Sequence, residues 1–64
     1  MFNAEDKCYD GNGTELSVND AVMYVDGRKE LEGCIARLLP NNQVVIDTEI
    51  GGFTVNGKDT YYLA

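Results

Sequence analysis

Hydrophobic and polar residues alternate in short runs along most of the chain, and turn residues separate the runs. Alternation with a period of two, in segments rich in Val, Tyr and Thr, is typical of β-strands with one buried face. Pairs that contain glycine mark the ends of these runs, at Asp26-Gly27, Gly51-Gly52 and Asn56-Gly57. The pattern predicts strands at residues 20–25, 43–49, 53–55 and 60–63.

A shorter hairpin precedes these strands, at residues 7–16. Its two arms flank Gly11-Asn12-Gly13, and an Asn-Gly pair supplies the positive φ angles that a tight hairpin turn requires. Residues 1–6 are predicted to be a flexible leader. Residues 7–64 are predicted to be a single domain, because a chain of 64 residues leaves room for one hydrophobic core.

Residues 28–39 have two interpretations. Their leucine and isoleucine residues recur at helical spacing, and Pro40 fits the end of a helix. The same segment also alternates as a strand, and Gly33 near its centre costs a helix about 1 kcal/mol relative to alanine. A helix here would pair the flanking strands in parallel, which is unusual in so short a chain. The strand is therefore favoured, and a helix at residues 28–39, giving an α+β fold, is the alternative.

The predicted fold is thus all-β and antiparallel, with an N-terminal hairpin. The inward positions of the strands define its expected core, because alternate side chains of a strand share one face. That core comprises Leu16, Val22, Tyr24, Ile35, Leu39, Val44, Ile46, Phe53, Val55 and Leu63.

The chain is acidic, with 11 Asp and Glu residues against 5 Lys and Arg, a formal net charge of −6 and a pI near 4.2. Such a charge repels nucleic acids and anionic membranes, so both are unfavourable partners. The N-terminus lacks the basic start and apolar run of a signal peptide, and no run reaches the roughly 18 apolar residues of a membrane span. We expect a cytoplasmic protein with reduced thiols. Cys8, near the N-terminus, is expected to be the more reactive thiol and Cys34 to be buried.

The residues that catalysis and metal binding need are missing. The chain has no histidine, so the commonest general base is absent. Two isolated cysteines cannot form a four-ligand zinc site. The segment Asp10-Gly11-Asn12-Gly13-Thr14 is similar to the start of a calcium loop, but the Gly and Glu that an EF-hand needs later fall on Glu15 and Ala21. We therefore predict no enzymatic activity, no metal and no cofactor.

Residues 17–64 resemble the SH3-like small barrel, in the variant that carries a KOW-type motif. The resemblance implies a small antiparallel barrel and a role on nucleic acid, with Arg28, Lys29 and Arg37 as the contacts. The usual Gly before the Asp is Asn19 here, and the basic loop is mixed with acidic residues. The residues that carry the resemblance are Val18-Asn19-Asp20-Ala21-Val22, Asp26-Gly27, Gly33-Cys34-Ile35, Asn41-Asn42 and Val44-Val45-Ile46.

Tyrosines and acidic residues remain as candidate binding groups. Tyr61 and Tyr62 point to opposite faces of the last strand, so one of them faces solvent or a partner. We predict a small accessory or regulatory interaction module that binds a basic partner protein. The alternatives are a KOW-like nucleic-acid module and a DNA-mimicking inhibitor with carboxylates arrayed on one face. The acidic, tyrosine-bearing surface is expected to comprise Tyr24, Asp26, Glu30, Glu32 and Tyr62.

Overall fold

The computed structural model describes residues 6–63, which form seven strands and one short 3-10 helix, η1, at Gly57–Asp59. Of the predicted leader, residues 1–5 lie outside the described residues, and Asp6 is exposed and outside any strand. The strands are β1 (Cys8–Tyr9), β2 (Glu15–Leu16), β3 (Ala21–Asp26), β4 (Lys29–Leu39), β5 (Gln43–Thr48), β6 (Gly51–Asn56) and β7 (Thr60–Tyr62).

The strands form one antiparallel hairpin, β1–β2, and one five-stranded antiparallel sheet with the order β6-β5-β4-β3-β7. The prediction of an all-β, antiparallel fold with an N-terminal hairpin is confirmed. The alternative of a helix at residues 28–39 is wrong, because β4 occupies nearly all of that segment. The sheet is not closed into a barrel: β6 and β7 are its two edges. The outer backbone groups of β7 pair with the loop between β1 and β2 instead, as described below.

Cross-strand pairing identifies an inner face of the five-stranded sheet. Val22 lies opposite Gly33, Ile35 lies opposite Ile46, and Ile46 lies opposite Phe53. Side chains of directly opposed residues share a face, so the fully buried residues of β3, β4 and β5 lie together on one side. Tyr24, Leu38 and Val55 pack against this cluster. The buried core comprises Cys8, Leu16, Val22, Ile35, Val44 and Ile46.

Five of the ten predicted core residues are fully buried, and two predictions are wrong. Phe53 is 39% exposed because it lies on an edge strand, at the end of the inner face that the hairpin leaves open. Leu63 is 48% exposed because it lies beyond the end of β7. Cys8 has no exposed surface, although the sequence placed it near a solvated N-terminus.

The long strand β4 bends where the inner face closes around the core. A bulge interrupts its pairing with β5 between Ile35 and Arg37. Gly33, just before the bulge, brings the two backbones so close that a Cβ atom would lie 2.5 Å from the carbonyl oxygen of Asp47. Real Cβ contacts are not that short, so only glycine fits without a shift of the backbone. The close approach of β4 and β5 next to the bulge therefore depends on the absence of a side chain at Gly33.

The turn between β4 and β5 attaches the N-terminal hairpin to the sheet. Asn41 and Asn42 both have positive φ, at 64° and 62°, which asparagine tolerates better than most residues. The Asn42 side chain accepts a hydrogen bond from the Tyr9 amide at 2.7 Å and donates one to the Tyr9 carbonyl at 3.1 Å. The single S–H donor of Cys8 lies within hydrogen-bonding distance of two carbonyl oxygens, those of Leu39, at 3.4 Å, and Gln43, at 3.3 Å. The hairpin thus covers the end of the inner face beside this turn.

The hairpin loop itself is ordered by Asp10. The predicted hairpin is confirmed, but its expected turn mechanism is wrong, because Gly13 has a positive φ of 85° and Asn12 does not have a positive φ. Instead, one oxygen of the Asp10 carboxylate accepts hydrogen bonds from the amides of Asn12, at 2.9 Å, and Thr14, at 2.8 Å. An Asp side chain that bonds the backbone two residues on is a recurrent turn device.

The second oxygen of Asp10 binds the edge of the sheet. It accepts a hydrogen bond from the Tyr62 amide at 2.8 Å, and the neighbouring Gly11 amide donates to the Thr60 carbonyl at 2.9 Å. Asp10 is only 5% exposed. Burial raises the pKa of its carboxyl, but the hydrogen bonds donated by backbone amides, Tyr62 first among them, outweigh that effect and lower the pKa below its usual value.

The close approach at Gly33 predicts that Gly33→Ala destabilises the protein. The new methyl group would push β4 away from β5, so the free energy of unfolding is expected to fall by about 2 kcal/mol. Urea denaturation followed by circular dichroism measures the change. Gly52→Ala is the matched control, since its Cβ would meet the flexible Asp47 side chain at 3.3 Å and the Ile46 carbonyl oxygen at an ordinary van der Waals distance of 3.7 Å. Equal losses in the two variants would contradict the role given to Gly33.

The bonds of Asp10 predict a specific acid dependence. A carboxyl with a lowered native pKa stabilises the fold above its unfolded pKa of about 3.9, and this contribution is lost as the pH falls through the native value. Asp10→Asn is expected to cost about 2 kcal/mol at neutral pH. Its deficit relative to the parent protein should shrink in acid.

Thermal and urea unfolding across the acid range measure this deficit. Asp47→Asn, which neutralises an exposed carboxylate, is the control and should change stability by less than about 0.5 kcal/mol. A deficit for Asp10→Asn that stays constant with pH would show that the ionised carboxylate is not what stabilises the loop.

Candidate functional site

The end of the inner face that the hairpin does not cover forms an open cleft of about 560 Å³. One wall comes from the β3–β4 hairpin, and the other from the β5–β6 turn and β6. In a flat sheet, β3 and β6 would lie three strand spacings apart, or about 14 Å, so the sheet must curl for both to line one cleft. We call this feature the acidic cleft. Its lining residues are Tyr24, Asp26, Lys29, Glu30, Leu31, Ile50, Phe53, Thr54 and Val55.

The floor of the acidic cleft is apolar and aromatic. Tyr24 and Leu31 are cross-strand partners on β3 and β4. Phe53 faces them from β6, and Ile50 at the β5–β6 turn is 70% exposed. Tyr24 and Val55 also pack against the buried core, so the floor is continuous with the interior. Exposed apolar surface of this kind, rimmed by polar groups, is typical of an interaction site.

Charged residues form the rim. Asp26 and Lys29 face each other across the β3–β4 turn, and Glu30 follows on β4. Burial, and then the negative charges of Asp26 and Asp59, raise the pKa of the Tyr24 hydroxyl above its usual value. Because both carboxylates disfavour a negative charge at that hydroxyl, they favour a positive charge there. Lys29 on the same rim offsets part of this negative charge, so the rim carries two carboxylates and one ammonium group.

The structure brings together three of the five residues predicted for the acidic, tyrosine-bearing surface: Tyr24, Asp26 and Glu30 all line the cleft. Glu32 lies opposite Met23 and shares the outer face of the sheet with it. Tyr62 lies opposite Val22 on β7 and is 44% exposed. Neither of these two lines the cleft.

Sequence reasoning missed the residues of the opposite wall. Phe53 was assigned to the core, and Ile50 and Leu31 to no site. One signal was present in the sequence: Ile50 stands between an acidic residue and two glycines, where an apolar side chain has little chance of burial. What the sequence did not indicate is that this turn would lie across from Tyr24.

The three basic residues of the nucleic-acid alternative do not lie together. Arg28 is in the β3–β4 turn and Lys29 is on the cleft rim, whereas Arg37 follows the β4 bulge. About 26 Å of strand separates Lys29 from Arg37. Arg37 also shares the outer face with the carboxylates of Glu32 and Asp47, so that face is of mixed charge rather than a continuous array of carboxylates.

Among residues 6–63, no group of three or more His, Cys, Asp or Glu side chains is placed to hold a metal ion. Residues 10–14, which are similar to the start of a calcium loop, form the hairpin turn instead. Both carboxylate oxygens of Asp10 accept hydrogen bonds from backbone amides. Over the same described residues, no helix has the length and apolarity that crossing a membrane requires.

Both cysteines are free thiols, and their environments are the reverse of those predicted. Cys8, in strand β1 of the hairpin, is buried against the sheet, and burial raises its pKa against the opposing effect of the Leu39 hydrogen bond. Cys34 is exposed, because it falls on the outer face of β4 between Ala21 and Asp47. Alternation along β4 decides this, since Gly33 and Ile35 take the inner positions.

Comparison of the chain with protein-family models, with curated proteins and with solved structures gave no match. The acidic cleft is therefore the feature from which a function is inferred below.

The thiol environments predict selective modification. In the folded protein at neutral pH, iodoacetamide is expected to alkylate Cys34 readily and Cys8 at least tenfold more slowly, because the buried thiol is inaccessible and has a raised pKa. Mass spectrometry of the digested protein measures both rates. Cys34→Ser should remain unmodified until denaturant is added. Fast alkylation of Cys8 in the folded Cys34→Ser variant would show that the hairpin does not protect it.

Proposed function

We propose that the protein is a small non-enzymatic interaction module, an accessory or regulatory protein that binds a basic segment of another protein in the acidic cleft. The observation that carries the proposal is the position of the apolar floor beneath the acidic rim, at the open end of an otherwise covered core. Two free cysteines, one of them exposed, support action in the cytoplasm, where thiols stay reduced.

Lysine and arginine side chains have the chemistry that fits this arrangement. Their aliphatic stems can lie along Leu31 and Phe53 while the charged group remains near the rim. A cation close to the Tyr24 ring gains further from the ring quadrupole, by about 0.5–1 kcal/mol at an exposed site. Asp26 supplies an opposite charge on the inner face, and Glu30, which pairs with Val25 on the outer face, supplies one at the edge of the cleft. An acidic segment would be repelled by Asp26 and Glu30 and attracted only by Lys29.

The charges and the apolar floor contribute to different properties of binding. Rim charges mainly raise the association rate and select the partner, while buried apolar contacts slow dissociation. The net charge of −6 adds a field of the same sign at longer range. Binding is therefore expected to weaken as salt is added.

Neutralising the rim tests this function. A library of random decapeptides is selected on the immobilised protein and on Asp26→Asn/Glu30→Gln. Peptides selected on the parent protein are expected to be enriched in Lys and Arg, because cations gain most from this rim. They should bind the double variant about tenfold more weakly, since two partly exposed charge pairs contribute about 1–2 kcal/mol together. Fluorescence anisotropy measures the affinities.

The matched control is Glu15→Gln/Asp47→Asn, which makes the same change in net charge at two exposed carboxylates that do not line the cleft. It should retain nearly the affinity of the parent protein. Selected peptides without a basic preference, or equal weakening by the two double variants, would refute binding in the acidic cleft.

A further inference from the structure

The two edge strands of the five-stranded sheet differ in whether their outer backbone groups are bonded within residues 6–63. At one edge, the loop between β1 and β2 covers β7: the Tyr62 amide donates to Asp10, and the Thr60 carbonyl accepts from Gly11. At the other edge, β6 pairs with β5 on one side, and within residues 6–63 no strand pairs with its other side. An uncovered edge offers backbone donors and acceptors to an incoming strand.

The β6 edge also lacks the usual protection against strand pairing. Natural edge strands carry charged residues, proline or bulges, or are very short, to prevent such contacts. The β6 sequence, Gly-Gly-Phe-Thr-Val-Asn, contains no charge and no proline, and its register with β5 is regular over all six residues. Residues 51–54 are all exposed. β6 is thus an open, uncharged, regular edge.

The hydrogen bonds at the end of β6 show which of its backbone groups point outward. The Gly57 amide donates to the Asn42 carbonyl at 2.7 Å, and these residues continue the β5–β6 register. Bonded and non-bonded pairs alternate along an antiparallel ladder, so Val55 and Phe53 face β5 with their backbone groups. The N–H and C=O groups of Thr54 and Gly52 consequently face away from the sheet.

We propose that the bound segment of the partner protein adds to the β6 edge as an extended strand, pairing with the outward groups of Gly52 and Thr54 and directing alternate side chains into the acidic cleft. This inference rests on the proposed function and specifies how the segment binds. In this mode of recognition, the backbone bonds supply affinity and the pockets for alternate side chains supply specificity.

The geometry of a strand assigns the side chains of the added segment. The segment adds antiparallel to β6, like every strand pair of this sheet. Directly bonded residues of an antiparallel pair share a face, so residues bonded to Thr54 carry their side chains on the outer face. The residues between them carry theirs on the inner face, beside Phe53 and Val55. Basic residues at these alternate positions approach Asp26 and Glu30. A second copy of the chain is the less favoured occupant, because two chains of charge −6 repel each other.

Removing the outward amide of Thr54 tests strand addition. The probe is a capped octapeptide of alternating lysine and valine, titrated into the isotopically labelled protein and followed by NMR. Thr54→Pro removes the donor on the open side, where an edge strand tolerates proline. It is expected to weaken binding about tenfold, and by clearly more than Thr54→Val, which changes the side chain but keeps the amide. The Gly52 and Thr54 amides should shift on binding to the parent.

Two modified peptides give a test that does not depend on the folding of a variant. One carries N-methyl groups on its valines and the other on its lysines. With lysines directed inward, the valine amides face β6, so N-methylvaline is expected to weaken binding at least tenfold and N-methyllysine to leave it nearly unchanged. Equal binding of the two peptides, or no shift of the Gly52 and Thr54 amides, would overturn strand addition.

Other occupants of the edge give distinct results. A peptide-free dimer that dissociates in Thr54→Pro would assign the edge to a second copy and overturn the inference. Peptide binding at least tenfold tighter in a variant that begins at Asp6 would assign it to residues 1–5 and overturn it as well. Weakening by Asp26→Asn/Glu30→Gln without any effect of Thr54→Pro or N-methylvaline would leave the proposed function intact and reject strand addition alone.

Discussion

The carboxylate of Asp10 joins the N-terminal hairpin to the last strand of the sheet. It holds the loop of a hairpin whose strands have two residues each, and it binds the backbone of β7 at the sheet edge. Hairpins this short are not stable alone. Yet the hairpin supplies Cys8 and Leu16 to the core. A nearly buried charge is tolerable here because backbone amides bond both of its oxygens.

The strands of the sheet could be predicted because their signals are local. Alternation and glycine-containing turns placed β3, β5 and β7 within one or two residues of their observed bounds. The glycine at position 33 correctly favoured a strand over a helix for residues 28–39. The role of Asp10 could not be predicted in the same way. Its decisive partner is 52 residues distant, and nothing near Asp10 in the sequence identifies that partner. The predicted closure into a barrel was wrong, and it too depended on a long-range contact. The loop containing Asp10 and Gly11, rather than β6, pairs with the outer backbone groups of β7.

The residues of the candidate site also fall into two groups, those brought together by a local turn and those brought together only by the fold. Tyr24, Asp26 and Glu30 flank one turn, so their proximity follows from the sequence alone. Phe53 and Ile50 come from a different turn and join them only because the sheet curls. That curl depends on the bend of β4 and on the close contact at Gly33. The bend in β4 thus brings the β3–β4 turn and the β5–β6 turn to opposite sides of one cleft, and it leaves β6 at the open side of that cleft.

The separation of Asp10 from Tyr62 has a consequence for biosynthesis. A chain is made from its N-terminus, so the hairpin and β3 to β6 are synthesised before the amide that Asp10 requires. Until then the carboxylate keeps its water, and the hairpin is held over the core without its bonds to β7, by the contacts of Asn42 and by the packing of Cys8 and Leu16. Folding of this domain therefore completes only after translation of its last strand, and nascent chains expose part of their apolar interior until that moment.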